Sequence, residues 1–365
     1  MRIILDAMGG DRAPADPVRG AVLAARAYNC TVVLVGPRAT LQAELAHHDI
    51  AGLDLPIVDA PDVIGMDEHP AQAIRRKTAS SHVVGLRMLR DGEGDAFVSA
   101  GHSGATMAGA LFILGRVPGI ERPALAAIFP TMHRPLLVLD VGANTDCKPE
   151  YLQQFAAMGS VYAERAMGVR EPRVALLSNG EEDTKGDRLV QEAHALLRES
   201  PLRFVGNAEP KDVLIADACD VLVTDGFVGN LFLKSSEATA KFATELARVE
   251  LGRSLAPRLL AGLAPAALLA LLPGEGRWRA LAGALVGGVA LLAALLGPPL
   301  LNVRRTIDYR SYGGAPLLGV KGVVIIAHGK SDALAMQNAI RQAKEAVEGD
   351  TVRAIHAEQL QQAGR

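Results

Sequence analysis

DVLVTDGFVGNLFLK, residues Asp220–Lys234, opens with an apolar run, Val221–Val223, of the kind a buried parallel strand shows. Thr224, Asp225, Gly226, Gly229 and Asn230 follow at once, and from about Leu231 to Leu251 the spacing turns helical. A strand that delivers small, hydrogen-bonding residues to a helix N-terminus makes a place where backbone N–H groups and the helix dipole hold an anion or oxyanion. Gly226 and Gly229 allow the backbone close to a ligand. Asn230 adds an amide, and Lys234 a charge one helical turn on. Standing alone, such a turn is equally well a plain structural loop.

It does not stand alone. The first two-thirds of the chain alternates short β-branched runs with helical segments, the mark of an α/β sheet. Strands are predicted at Ile3–Leu5, Val32–Val35, Ala96–Val98, Leu136–Val141, Val174–Leu177 and Val323–Ala327, and helices at 14–28, 69–90 and 105–114. Thr184 and Ser331 are expected to cap the helices that follow them. Val32–Val35 closes in Gly36-Pro37, but the other five, like Val221–Val223, run into glycine-polar loops: DAMGGD (6–11), SAGHSGA (99–105), GANTDC (142–147), SNGEEDTKG (178–186) and His328-Gly329. In a parallel sheet the strand C-termini share one edge, where ligands bind. The turns after residues 6, 99, 140, 178, 224 and 327 are therefore expected to line one cleft, rich in N–H donors and suited to an anionic small molecule.

Bulk properties narrow the function. With 365 residues, 49% apolar and 21% charged, the chain forms one large or two modest globular domains. A net charge of −2 gives no basic field for nucleic acid, and 4% aromatics leaves few stacking platforms. Cys30, Cys147 and Cys219 lack paired spacing, which fits a reducing cytoplasm. The apolar residues before Asp6 are too few for a signal-peptide core. The histidines have no H-E-x-x-H or C-x-x-C companions, so no metal is expected. There is no G-x-G-x-x-G after a strand and no G-x-S-x-G elbow, and Gly329-Lys330-Ser331 lacks the first glycine of a P-loop, Val324 standing in its place. Cys147 is a possible nucleophile with no base beside it in sequence.

Between Leu255 and Leu301 the composition changes. Leu259–Leu272 is apolar on every face apart from the break at Pro265, and Ala280–Leu301 carries no charge and is long enough to span a bilayer. Gly283 and Gly287 form a G-x-x-x-G pair. The first arm is too short to span, and Pro298-Pro299 breaks the second. The predicted form is a helical hairpin with Arg277, Trp278 and Arg279 at its tip, buried in a dimer and touching a membrane peripherally. The expected division is an α/β core (1–254), the hairpin (255–301), a return to the core (302–350) and a tail (351–365).

The motifs Asp6–Asp11, LDVGAN (139–144), LSNGEE (177–182), VTDGFVGN (223–230), DYRSYGGAPLLG (308–319) and IIAHG (325–329), in this order along nearly the whole chain, resemble the bacterial phosphate acyltransferases. These enzymes move a fatty acyl group from acyl carrier protein to inorganic phosphate at the start of phospholipid synthesis. The resemblance implies a three-layer α/β/α fold with a mostly parallel sheet, like the isocitrate dehydrogenases and phosphotransacetylases. It also implies a homodimer with a protruding helical hairpin, a membrane partner (an acyl-phosphate:glycerol-3-phosphate acyltransferase), and no cofactor. One departure is His102, where the family has asparagine.

Phosphate, partly dianionic near neutral pH, attacks a thioester without a strong base, so the expected tasks are to hold phosphate, place the thioester and stabilise an oxyanion. Lys185 is expected to fix the phosphate, Asn230 to orient it or donate to the oxyanion, and His328 to protonate the leaving thiolate. Asp6, Gly9, Gly10, Ser99, Gly101, His102, Ser103, Asn144, Ser178, Asn179, Gly180, Asp225, Gly226 and Gly229 are expected to line the pocket. Arg75, Arg76 and Lys77, then Arg304 and Arg305, are candidates for docking the acidic carrier protein. Three other functions compete: a short-chain phosphotransacylase using acyl-coenzyme A, a non-catalytic membrane scaffold, and an NAD- and metal-dependent dehydrogenase on the same architecture. The missing nucleotide fingerprint weighs against the last.

Overall fold

The computed structural model describes residues 1–270 and 313–363. Their elements begin β1 (Arg2–Asp6), α1 (Ala15–Tyr28), β2 (Thr31–Gly36), α2 (Arg38–Leu45), β3 (Ile57–Asp59), α3 (Pro70–Arg76), α4 (Ser81–Arg90), β4 (Ala96–Ser99) and α5 (Ser103–Gly109). A π-helical turn (Ala110–Leu114) follows, then β5 (Ala124–Phe129), β6 (Leu136–Leu139), α6 (Pro149–Arg165), β7 (Val174–Leu177), α7 (Arg188–Arg198), β8 (Phe204–Ala208), α8 (Pro210–Ile215) and β9 (Val221–Val223). The remainder is α9 (Gly226–Ala270), β10 (Ala315–Leu318), β11 (Val323–Ile326), α10 (Ala333–Glu348) and α11 (Thr351–Ala363).

The strands form one sheet in the order β3-β2-β1-β4-β11-β10-β5-β6-β9-β7-β8. Its strands alternate sides with period two, yet both sides are buried. Ile3, Leu5, Leu137 and Val223 pack against α1, α6 and α10, while Ile4, Val33, Phe97 and Val324 pack against α4 and the π turn. The result is three layers, α/β/α, with a mostly parallel sheet, as expected.

The direction of the strands departs from expectation. β3, β2, β1, β4 and β11 are mutually parallel, and so are β6, β9, β7 and β8. Between these sets come three successive antiparallel pairings, β11 with β10, β10 with β5, and β5 with β6. An odd number of reversals inverts the second set against the first. The C-terminal ends of β1, β4 and β11 therefore lie on one edge, and those of β6, β9 and β7 on the other. The six glycine-polar turns form two clusters of three, not one cleft.

Local corrections have local causes. The helix expected over 69–90 is broken, because Ser80 caps α4 by accepting from Val83 N. α7 is capped by Asp187 rather than Thr184, and α10 by Asp332 rather than Ser331. A carboxylate at the N-cap also complements the helix dipole. After Gly109 the helix widens into the π turn, where Gly115 N reaches back to Ala110 O at 3.1 Å, and Gly115 then leaves the helix at φ 78°.

Arg173 joins the starts of β7 and β9. Its Nε and Nη2 hold both carboxylate oxygens of Asp220 at 3.0 Å, its backbone N–H donates to Oδ2 at 2.9 Å, and Nη2 reaches Asp217 at 3.1 Å. Burial pushes Asp220 up, but the Arg173 side chain and backbone N–H more than offset this and hold it below the usual carboxylate range. A depressed folded-state value contributes stability above the unfolded pKa, about 3.9, that is lost as pH falls through the folded value. Arg173→Met leaves buried Asp220 with only the more distant Arg134, 3.9 Å away, and is expected to cost about 3 kcal/mol at neutral pH. It is also expected to remove this part of the acid sensitivity. Urea unfolding at pH 7 and near pH 4 measures both, and a variant as stable as the wild type at pH 7 would contradict the assignment.

The chain divides into two compact units, Met1–Asn230 with Tyr309–Arg365, and Leu231–Asp308. In the second, the described part is the continuation of α9 to Ala270. Arg277, Trp278 and Arg279, the apolar arm Ala280–Leu301 with Gly283 and Gly287, and Arg304 and Arg305 lie outside the described residues. Among the described residues no helix is long and apolar enough to cross a membrane.

Candidate active site

The cluster at the C-terminal ends of β6, β9 and β7 is built around Asp140, which is fully buried. Its Oδ1 accepts from the N–H groups of Leu125, Gly142 and Ala143 at 2.9–3.1 Å, and its Oδ2 from Asn144 N and Nδ2 at 2.7 and 2.8 Å. Burial pushes this carboxyl up, and the donors oppose the shift. Asn144 Nδ2 also donates to Pro123 O at 2.7 Å. Both its partners are pure acceptors, so the amide orientation is fixed, and only Oδ1 remains. An acceptor does not hold an anion. The structure makes Asn144 a brace, not the phosphate ligand expected.

The start of α9 is corrected in the same sense. Gly226 N donates to Asn144 O at 2.6 Å, Phe227 and Val228 N to Asp225 Oδ1 at 2.9 and 3.0 Å, and Gly229 N to Asp225 O at 2.9 Å. Every N–H of the first turn is thus taken, and the anion expected at this terminus finds no donor there. Asp225 is the N-cap. The two glycines serve backbone packing: a Cβ on Gly226 would stand 2.6 Å from Asn144 O, and one on Gly229 would overlap the Asp140 carbonyl. Asn230 is different. It is exposed, lies over Gly142, and its amide has no protein partner among the described residues.

The third loop, Ser178–Gly186, is held by Asn179 Oδ1 accepting from Gly186 N at 2.9 Å, which leaves the Asn179 amide as a donor. Ser178 Oγ is buried without a partner. Of the loop's acids, Glu181 pairs with Lys211 and Asp183 with Arg198. Lys185 is exposed and has no carboxylate partner among the described residues, and its stem covers Gly180, where a Cβ would stand 2.7 Å from Lys185 Cγ. Glu182 Oε2 lies beside the same spot. Because β9 separates β6 from β7, the three loops are neighbours over roughly 10 Å. Unpartnered hydroxyl, amide and ammonium groups on one loop can hold an oxyanion, and Asn230, over Gly142 at the end of β6, is the further free amide of the cluster.

The other cluster is a closed brace. Ser99 Oγ donates to Asp6 Oδ2 at 2.7 Å and accepts from Gly101 N at 3.0 Å. His82 places Nδ1 3.3 Å from Asp6 Oδ2 and Nε2 3.3 Å from Ser99 Oγ. Although the residue types suggest a nucleophilic triad, all three are at most 1% exposed and the serine proton goes directly to Asp6. His82 was missed in the sequence, where its one signal is a polar side chain inside the buried run Ser81–Val83 of α4. Gly9 is wedged against Gly101 N, and Gly10 takes φ 108° beside Gly329 O. Asp11 N donates to Gly329 O at 2.7 Å, tying this loop to the one carrying His328. His102 precedes α5, with Ser103 its first residue, and makes no side-chain cap. His328 Nδ1 accepts from Lys330 N at 3.1 Å. β11 and β7 are five strand positions apart, roughly 24 Å, and on opposite edges. Within one chain, therefore, His328, Asp6, Gly9, Gly10, Ser99, Gly101, His102 and Ser103 do not join Lys185 in one pocket.

Two more expectations change. Lys77 Nζ is held by Glu68 and Val63 O at 2.6 and 2.7 Å, so of the three cations expected on this helix Arg75, stacked 5.0 Å from the Phe112 ring centre, and Arg76 are the ones without a carboxylate partner among the described residues. The Cys147 thiol is pushed up to about 12 by burial and by Asp140, so it stays protonated and is no nucleophile at neutral pH.

A cavity of about 620 Å³ opens beside Asn144, and Met107, Ala108, Leu111, Arg122 and Tyr151 are among the residues that line it. A family model described as "Fatty acid synthesis protein" matches residues 1–273 and 279–353. A phosphate acyltransferase of Herpetosiphon aurantiacus is 58% identical over 356 residues, 97% of this chain and 96% of that protein. The chain belongs to the phosphate acyltransferase family. A second phosphate acyltransferase, from Pelotomaculum thermopropionicum, is 45% identical over 95% of this chain and 92% of its own length. Members of this family are acyltransferases, and so is this chain. Solved structures share the fold at low identity. A branched-chain phosphotransacylase of Enterococcus faecalis aligns with TM-score 0.56 at 13% identity, over 95% of this chain and 99% of that one. A 4-hydroxythreonine-4-phosphate dehydrogenase of Klebsiella pneumoniae aligns with TM-score 0.53 at 14% identity, again over 95% and 99%.

Proposed function

We propose that this acyltransferase moves a long-chain fatty acyl group from acyl carrier protein to inorganic phosphate, making acyl phosphate for phospholipid synthesis. The observation that carries the reading is the Ser178–Gly186 loop, where Ser178 Oγ, the Asn179 amide and Lys185 stand unpartnered, with Asn230 two strands away over Gly142. Phosphate held there attacks the thioester carbonyl carbon through one oxygen. The carbon–oxygen bond forms, the carbon–sulfur bond breaks, and the proton of hydrogen phosphate ends on the departing sulfur. Lys185 neutralises the phosphate, and the Asn230 amide donates to the carbonyl oxygen as it gains charge. No acyl-enzyme is needed, which agrees with the protonated state of Cys147. The product is a reactive mixed anhydride, so a membrane acyl-phosphate:glycerol-3-phosphate acyltransferase is the consumer we propose. A homodimer touching the membrane peripherally is the proposed setting.

The test is thiol release from palmitoyl acyl carrier protein with and without phosphate, with hydroxylamine to trap acyl phosphate. Phosphate-dependent release with a trapped hydroxamate is expected. Release without phosphate would make the enzyme a thioesterase, and turnover of short acyl-coenzyme A donors alone would favour the short-chain reaction.

A further inference from the structure

We propose that the cavity beside α5 holds the fatty acyl chain, and that Ala108 and Leu111 set the length it accepts; this rests on the function proposed above. Gly104, Met107, Ala108 and Leu111 stand at positions i, i+3, i+4 and i+7 and form one stripe along α5 and the π turn. Leu317 of β10 also lines this trough. Leu111 is left 39% exposed and Phe112 55%, an apolar surface that the described fold does not cover. The π turn adds a residue to the helix at this point, a distortion that recurs at functional sites.

The trough has a direction. α5 leaves the C-terminal end of β4 and runs back along the sheet, so that Gly115 and Val117 reach Lys321 and Gly319 at the opposite edge. Gly104 therefore marks one end, and Arg116, Arg122 and Asn144 mark the other, beside the loops of the candidate active site. At that end Arg122 and Lys148 each lie 5.9 Å from the Tyr151 ring centre. Arg116, Arg122 and Lys148 have no carboxylate partner among the described residues, and Glu121 is the one acid in the lining. An apolar trough with a cationic mouth complements an amphiphile with an anionic head, and acyl phosphate is such a molecule. Its volume lies within the roughly 300–1,000 Å³ of small-molecule sites. The chain lies along α5 towards Gly104, with its carbonyl at the Asn144 end. Ala108, the small residue at mid-trough, leaves the space that a long chain needs.

Ala108→Phe fills that space. The ratio of kcat/KM for palmitoyl to that for octanoyl carrier protein is expected to fall roughly tenfold or more, since each methylene excluded from an apolar pocket is worth about that much. Leu111→Trp, at an exposed position that tolerates bulk, is expected to shift the ratio in the same direction and covers the case in which Ala108→Phe folds poorly. Radiolabelled palmitate in equilibrium dialysis gives a readout independent of turnover, and both variants are expected to bind it more weakly than the wild type. An unchanged ratio and unchanged palmitate binding in both folded variants would overturn the assignment. Phosphate-independent thiol release by the wild type, with palmitate binding still weakened by the variants, would overturn the proposed reaction and leave the chain site standing.

Discussion

Lys185→Ala is expected to lower phosphate-dependent turnover at least about tenfold, because it removes the ammonium that holds the attacking phosphate and offsets its charge as the new bond forms. Asn230→Ala is expected to do the same through the oxyanion. The loss divides differently in the two. Without Lys185 the KM for phosphate rises along with the fall in kcat, since the ammonium binds ground-state phosphate as well, whereas the Asn230 effect falls mainly on kcat. Neither change should unfold the protein: both side chains are exposed, and neither has a protein partner among the described residues. Steady-state kinetics with varied phosphate, beside a thermal melt, is the measurement. Near-wild-type kinetics in both variants would remove the loop from the active site.

Asp140→Ala is expected to be the most destabilising change in the candidate site, by roughly 3–5 kcal/mol, with activity lost as well. Removing the carboxylate strands the N–H groups of Leu125, Gly142, Ala143 and Asn144 and the Asn144 amide. A buried donor without an acceptor costs about 1–3 kcal/mol, and water entering the vacated space recovers part of the sum. Activity follows because Asn144 O holds Gly226 N and so fixes where α9, and with it Asn230, begins. Asp140→Asn keeps the shape but points a donor at donors, and should fall between the two. The midpoint of urea unfolding decides it; a loss under about 1 kcal/mol for Asp140→Ala would mean that the loop holds itself without the carboxylate.

The layers of the fold were legible in the sequence, and the site was legible only in part. Val32–Val35, Ala96–Val98, Val174–Leu177 and Val221–Val223 announce themselves as buried strands because they are apolar on both sides. β5 and β10 do not. β5 reads ALAAIF, alanine-rich and without strand character, and β10 reads APLL, four residues with a proline that normally argues against an inner strand. These two carry the reversals, so missing them turned two clusters into one expected cleft. Lys185, Ser178, Asn179 and Asn230 were picked from the sequence as polar residues beside glycine-rich turns, and that their donors stand unpartnered is visible only in the structure. Asp225 and Asn144 were misjudged for a different reason. A cap and a ligand require the same residue types, and only the hydrogen-bond partners separate them.

The placement of β11 bears on how the protein is made. β11 sits between β4 and β10, yet more than 220 residues separate Ser99 from Val323 along the chain. On the ribosome, the set β5–β9 is contiguous and can pair as it emerges. The first set waits with the edge of β4 bare until the last strands are translated. A nascent chain halted before residue 323 exposes the row of N–H and C=O groups on Ala96–Ser99, a strand that carries Phe97 and Val98, which is a template for pairing with another chain. Newly synthesised protein is thus open to strand pairing at that edge until its final segment arrives.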